Sequence, residues 1–226
     1  KVKSTWNFIN KLWNASRFVL MNIEDLTKET YTLDNLNTCD KWILNKLNNL
    51  IKLTRKHMEK YEFNVVGSEL YSFVWDNFCD WYIELSKHNM NNTTKSVLLK
   101  VLTDILKLLH PFMPFVTEEI YLMLPIRESE SIMTSSYPNY NKEFEFDVEL
   151  DYTLDLITKI RKIKLENYIK EYSIYYTKLD NMEILSSMLK LNKENFVTTK
   201  NDLDEIVIDK NASILYDGTN NREKEL

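Results

Sequence analysis

DKWILNKLNNLIKLTRKHMEKY, residues 40–61, decides the fold class. Ile43, Leu47, Leu50, Ile51, Thr54 and Met58 recur at intervals of three and four, the spacing that lines one side of an α-helix. Most other positions are Lys, Asn, Arg or Glu, so the stretch predicts an amphipathic helix with one buried stripe. Asp40 is placed to cap its start. The same periodicity continues on both sides. A helix over 4–21 precedes it, with Phe8, Ile9, Leu12, Ser16, Val19 and Leu20 toward the core. A third helix over 65–87 carries Tyr71, Phe73, Trp75, Phe78, Trp81 and Tyr82 around most of its circumference, which predicts a central position. A fourth runs over 92–110. A fifth opens at Pro114, a residue suited to a first helical turn, and stops at Pro125. Short connections between long helices predict antiparallel neighbours.

Beyond residue 125 the texture changes. Residues 126–142 are polar and read as a long connection. Helical spacing returns over 143–167 through Leu150, Leu154, Ile157, Ile160 and Ile163. Short β-branched or alternating runs at 172–179, 195–199, 206–208 and 212–216 predict strands, with a helix over 182–191 among them. Asp217-Gly218 reads as a turn and 220–226 as a frayed end. The expected architecture is therefore mainly α: an antiparallel helical bundle over 1–140, followed by a small α+β module over 141–226.

Composition excludes several classes of function. The 226 residues hold 2 Gly, so there is little material for phosphate-cradling loops, and no Walker A, HExxH or GxSxG pattern occurs. His57, His88 and His110 lack partners at metal-ligand spacing, and Cys39 and Cys79 fit two buried thiols of a reducing compartment. Glu118 and Glu119 diverge by about 100° on a helix and cannot serve one substrate from one face. No apolar run approaches membrane-spanning length, and the charged, polar opening is unlike a signal peptide, so a soluble cytoplasmic protein is expected. The net charge is −5, yet residues 1–60 hold 11 Lys/Arg against 6 Asp/Glu. A polyanion would meet that segment first.

On a helical wheel, the side of the first helix opposite its core stripe gathers Asn7, Asn10, Lys11, Asn14, Arg17, Phe18 and Met21, with Trp13 at the edge of the stripe. Amides can pair with base edges, cations with phosphate, and a presented ring can stack on an unpaired base. The same face also fits a packing role, with Phe18 under a neighbouring loop and the amides solvated. In the third helix, Asn77, Asp80 and Glu84 recur on or beside the side carrying Phe73 and Trp81. They would orient the first helix's face or tie helices together.

Three segments carry a resemblance to a known family. KLWNASRFVLMN (11–22) resembles the opening helix of the anticodon-binding domain of valine–tRNA ligases, and WDNFCDWYIE (75–84) resembles the third helix of that domain. HPFMPFVTEEIY (110–121) is similar to a segment shared by the valine, leucine, isoleucine and methionine enzymes. Ser131-Ile-Met133, Tyr137-Pro-Asn-Tyr140 and the module from Lys159 onward are also similar to the valine family, which usually continues into a coiled-coil arm. The class signatures HIGH and KMSKS are absent, and would lie upstream together with the editing domain.

The resemblance implies recognition of the tRNA-Val anticodon loop by a non-catalytic part of the ligase. Lys11, Asn14, Arg17 and Phe18 become the main tRNA-binding candidates, with Asn7, Trp13, Asp80, Trp81 and Glu84 beside them. It implies no catalytic or metal-ligating residue and no cofactor in this stretch, since ATP and Mg would be used by the parent enzyme. The implied partners are tRNA-Val and the parent's catalytic domain, with the chain monomeric. The alternatives are the same domain of an isoleucine or leucine enzyme, or a helical interaction scaffold.

Overall fold

The computed structural model describes residues 2–200 and 203–217. Gly218 and the tail over 220–226 lie outside the described residues, and with them the expected turn and frayed end. The chain divides into two compact units, Lys1–Val148 and Glu149–Leu226.

The first unit is helical. It contains α1 (Val2–Asn22), α2 (Thr38–Glu59), α3 (Phe63–Ser72), a π-helical segment (Phe73–Tyr82), α4 (Ile83–Ser86), α5 (Asn92–Leu109) and α6 (Pro114–Leu122). Asparagines cap two of these helices: Asn37 accepts the Asp40 N–H at the start of α2, and Asn91 accepts the Thr94 N–H at the start of α5. The cap of α2 is thus Asn37, not Asp40, because Asp40 has work further inside. Its fully buried carboxylate accepts from Tyr82 Oη at 2.7 Å and from Thr94 Oγ1 at 3.1 Å, joining α2, the π segment and α5 at one end of the bundle.

The central helix is α5, not the aromatic third helix. Val97, Leu98, Val101, Leu102, Ile105, Leu106 and Leu108 are all fully buried, so α5 is covered on nearly every side. Tyr71 remains 42% exposed, and Trp75 and Trp81 are half-buried. Compact aliphatic side chains fit between helices on all sides, whereas large rings spill outward from one flank. The charges that α5 buries are paired: Asp104 with Lys100 at 2.5 Å, and Lys107 with Glu128 at 2.6 Å.

The long connection is docked along α2. Asn48 donates to the Asn141 carbonyl and accepts the Asn141 N–H, both at 2.8 Å. Asn45 donates to the Phe146 carbonyl at 2.9 Å, and Arg55 donates to the Pro138 carbonyl at 2.9 Å. Glu118 accepts from Ser131 Oγ and the Ile132 N–H, a structural task for one of the adjacent glutamates. Because the backbone over 145–150 runs without helical bonding, the next helix, α7 (Asp151–Glu166), begins eight residues later than the periodicity predicts.

In the second unit α7 packs on α8 (Met182–Leu189). Strands β1 (Ser173–Tyr176), β2 (Phe196–Val197), β3 (Asp204–Val207) and β4 (Ala212–Tyr216) form one sheet in the order β2-β1-β4-β3. β1 and β2 are parallel, with α8 between them in sequence, while β4 is antiparallel to both β1 and β3. Ile174 sits opposite Ile214, and both are fully buried.

The Asp40 junction has a consequence for stability. Burial raises the Asp40 pKa above its ordinary 3.8, against the lowering effect of the Tyr82, Thr94 and backbone hydrogen bonds. A raised folded value means that the folded state holds the proton more tightly than the unfolded one. The associated stability is present below the unfolded pKa and is lost as pH rises through the folded value. In urea titrations from pH 4 to 7, the wild type should lose stability relative to Asp40→Asn as pH increases. Tyr82→Phe, which removes one donor from the buried carboxylate, should cost about 1–3 kcal/mol at neutral pH.

Candidate nucleic-acid interface

α1 lies over the core through Leu12, Val19 and Ile23, all fully buried. Ser16 also faces inward and satisfies its hydroxyl by donating to the Leu12 carbonyl at 2.8 Å. This leaves the opposite side outward, as the wheel predicts. Asn7, Asn10, Asn14, Arg17 and Met21 are exposed. The side chains of Asn7, Asn14 and Arg17 form no hydrogen bond or ion pair with another described residue. Trp13 is half-buried on the far border of the face, about 160° round the helix from Lys11.

Lys11 and Phe18 line the near border, against the third helix. Lys11 Nζ lies 2.7 Å from Asp80 Oδ1 and 3.7 Å from the centroid of the Trp75 ring. Trp75 stacks on Tyr71 at 5.5 Å, and Tyr71 stacks on Phe8 at 5.0 Å. Further along, Lys87 Nζ stands 5.4 Å from the Phe18 ring centroid and 2.5 Å from Glu84 Oε1. Successive contacts advance in the same direction on both elements, so α1 and the third helix run parallel.

The structure therefore brings Asp80 to Lys11 directly, and Glu84 to Phe18 through Lys87. Asn7, Asn14 and Arg17 share the outer face without touching this border, and Trp81 is half-buried on the third helix. Electrostatically, the border is nearly balanced, since two cations meet two carboxylates. The unpaired charge of the face is Arg17, among the described residues.

Tyr71, Trp75 and Lys87 belong to the site but do not stand out on a wheel drawn for an α-helix. The signal that would have found them is a stricter spacing. Val66, Leu70, Val74, Phe78, Tyr82 and Ser86 are all buried, at intervals of four residues. On an α-helix each such step drifts by about 40°, or about 200° over the whole run, which would carry the stripe to the opposite side. A stripe that stays on one side demands wider winding, and Phe73–Tyr82 supplies it, with the Ile83 N–H bonded to the Phe78 carbonyl five residues back.

Among the described residues, no group of three or more His, Cys, Asp or Glu is arranged to hold a metal ion, and no helix is long and apolar enough to cross a membrane. Cys39 and Cys79 are free, and burial pushes both thiols up to about 12. At pH 8, iodoacetamide should alkylate them about a thousandfold more slowly in the folded chain than in urea, where the thiolate is far more populated.

Comparison with known proteins defines the class. The family described as the anticodon-binding domain of tRNA ligase matches residues 40–178, and the chain belongs to that family. The match begins at α2, so the outward face of α1 rests on its own geometry. Among curated relatives, the valine–tRNA ligase of Bacillus cereus (strain ATCC 10987 / NRS 248) is 46% identical over 177 residues, covering 74% of this chain and 20% of the relative. That of Staphylococcus saprophyticus subsp. saprophyticus is 47% identical over 178 residues, with the same coverage of 74% and 20%. The chain thus spans about a fifth of the length of these relatives. Among solved structures, the LeuRS of Agrobacterium radiobacter K84, crystallised as a ternary complex with tRNA and LeuAMS, superposes with a TM-score of 0.50 at 15% identity. It covers 79% of this chain and 24% of that one, a likeness of fold.

Proposed function

We propose that this chain is the anticodon-recognising part of a valine–tRNA ligase and that the outer face of α1 meets the anticodon loop of tRNA-Val. The observation that carries the reading is the face itself: exposed amides and an unpaired arginine beside a ring held at the border, on a helix whose other side buries Phe8, Leu12, Ser16 and Val19 and leaves Ile9 and Leu20 half-buried. The identity to valine ligases from Bacillus and Staphylococcus supports valine over isoleucine or leucine. In this reading Phe18 stacks on an unpaired base, displacing Lys87 from above its ring. Asn14 and Asn7 offer donors and acceptors to base edges, and Arg17 meets a phosphate. Lys11 points its donors at a base oxygen or phosphate, and Asp80 and Glu84 hold the two lysines.

The chemistry of ligation is assigned to the rest of the parent enzyme. Valine activation by ATP, the catalytic domain as a neighbour, a monomeric state and a cytoplasmic location all belong to this proposal.

Filter binding to tRNA-Val tests it. Phe18→Ala should weaken binding about 5- to 150-fold, the loss of one stacked base. Arg17→Gln should lower the slope of log affinity against log salt by about 0.7, the value for one single-strand phosphate contact. A minihelix that lacks the anticodon loop, and so offers no unpaired base there, should bind wild type and Phe18→Ala alike. Equal affinity and equal slope for all three proteins on the native tRNA would sink the assignment. ATP–pyrophosphate exchange by this chain alone should read zero.

A further inference from the structure

The π-helical segment raises a separate question, because winding of this kind is rare and concentrates at functional sites. Trp75 and Asp80 are five residues apart. On an α-helix they would point about 140° away from each other and could not both reach one side chain of a neighbouring helix. The wider winding of i to i+5 bonding turns less per residue, so residues five apart come much closer to one side of the helix than α-helical winding allows. Both then meet the same ammonium: Asp80 Oδ1 lies 2.7 Å from Lys11 Nζ, and the Trp75 ring centroid 3.7 Å from it. The ring is held from behind by Tyr71 and Phe8, so the far wall of this seat is anchored on α1 itself.

We propose that the π segment is a positioning device that builds a two-sided seat, aromatic and anionic, for Lys11 and thereby fixes its Nζ at the border of the α1 face. The inference rests on the reading of that face as an anticodon site, adds Trp75 to it, and makes Trp75 and Asp80 together the positioning residues. Charge explains the need for a seat poorly. A lysine neutralised by a carboxylate contributes little to the general attraction of phosphates. What the seat supplies is order. A free lysine carries a large rotamer entropy, and a donor already placed loses less on binding. Lys11 is accordingly a discriminating contact, not an electrostatic one. Removing Asp80 frees a positive charge yet loosens the donor, so affinity for any RNA is maintained or raised while the preference for the right anticodon falls.

Two measurements on the intact chain test this, one without RNA. In the carbon–proton spectrum of lysine-labelled protein, the Lys11 ε-methylene should lie upfield of the other lysines because of the Trp75 ring current. The shift should vanish in Trp75→Leu and persist, reduced, in Trp75→Phe. In binding, the ratio of affinities for tRNA-Val and an anticodon-altered tRNA-Val should fall on the order of tenfold in Asp80→Asn and in Trp75→Leu, within the range for directly coupled residues. Asp80→Glu should restore part of the ratio. In a Lys11→Met background, the two substitutions should change the ratio no further. An unshifted ε-methylene, or an unchanged ratio in both variants, overturns the proposal. A shifted methylene in a wild type that does not discriminate between the two RNAs leaves the seat standing and removes the anticodon reading instead.

Discussion

Val66, Leu70, Val74, Phe78 and Tyr82 all face inward, and no regular α-helix can keep residues at that spacing on one side. The conflict between burying this stripe and α-helical winding is the constraint on which the first unit turns. It is resolved by wider winding over Phe73–Tyr82. Resolving it this way leaves Tyr82 fully buried, with its hydroxyl delivered to Asp40, and sends Trp75 and Asp80 outward together beside α1. One change of pitch therefore links the hydrophobic core, the buried polar junction and the border of the candidate site.

The polar interior is economical. Asp40 is a buried carboxylate with two hydroxyl partners and a neighbouring cap, not an ion pair. Such an arrangement avoids the full desolvation of a second charge, and because each donor comes from a different element it fixes their relative heights. α5 follows the other rule available to a buried charge: its acidic and basic residues are matched within hydrogen-bonding distance of a partner. The surface of α1 follows neither rule. Its exposed amides and Arg17 have no partner among the described residues.

Much of this was legible from residue spacing. Periodicity located α1, α2, α5 and α6, and the wheel separated the buried and outward sides of α1. The outward amides and cations needed nothing beyond that wheel, because their exposure follows from where Leu12 and Val19 must go. The border of the site was less accessible. A wheel drawn at the α-helical angle scatters Trp75 and Asp80 to different faces, so their meeting on Lys11 was hidden by the assumption of pitch. Asp40 read as a cap because its residue type suits both a helix start and a buried junction, and only the tertiary donors Tyr82 and Thr94 distinguish the two. Periodicity places the start of α7 too early because the apolar residues upstream belong to a docked strap, with the Asn141 and Phe146 carbonyls bonded by α2. In the second unit, the strands were located by β-branched runs, while their order depends on pairing that spacing does not encode.

The reciprocal bonds between Asn48 and Asn141 join residues 93 positions apart. A closure of that length costs only modestly more entropy than a short one, since the penalty grows with the logarithm of the loop. In time, however, it is a late event, because the two ends meet only once α3, α5 and α6 have folded the intervening chain back toward α2. The strap is therefore a latch applied to an assembled bundle rather than a scaffold for assembling it. During synthesis, α2 leaves the ribosome well before the segment that completes its polar edge. For that interval Asn45, Asn48 and Arg55 stand in water, which suits residues of their chemistry better than it would suit the aliphatic side chains that a purely apolar strap contact would require.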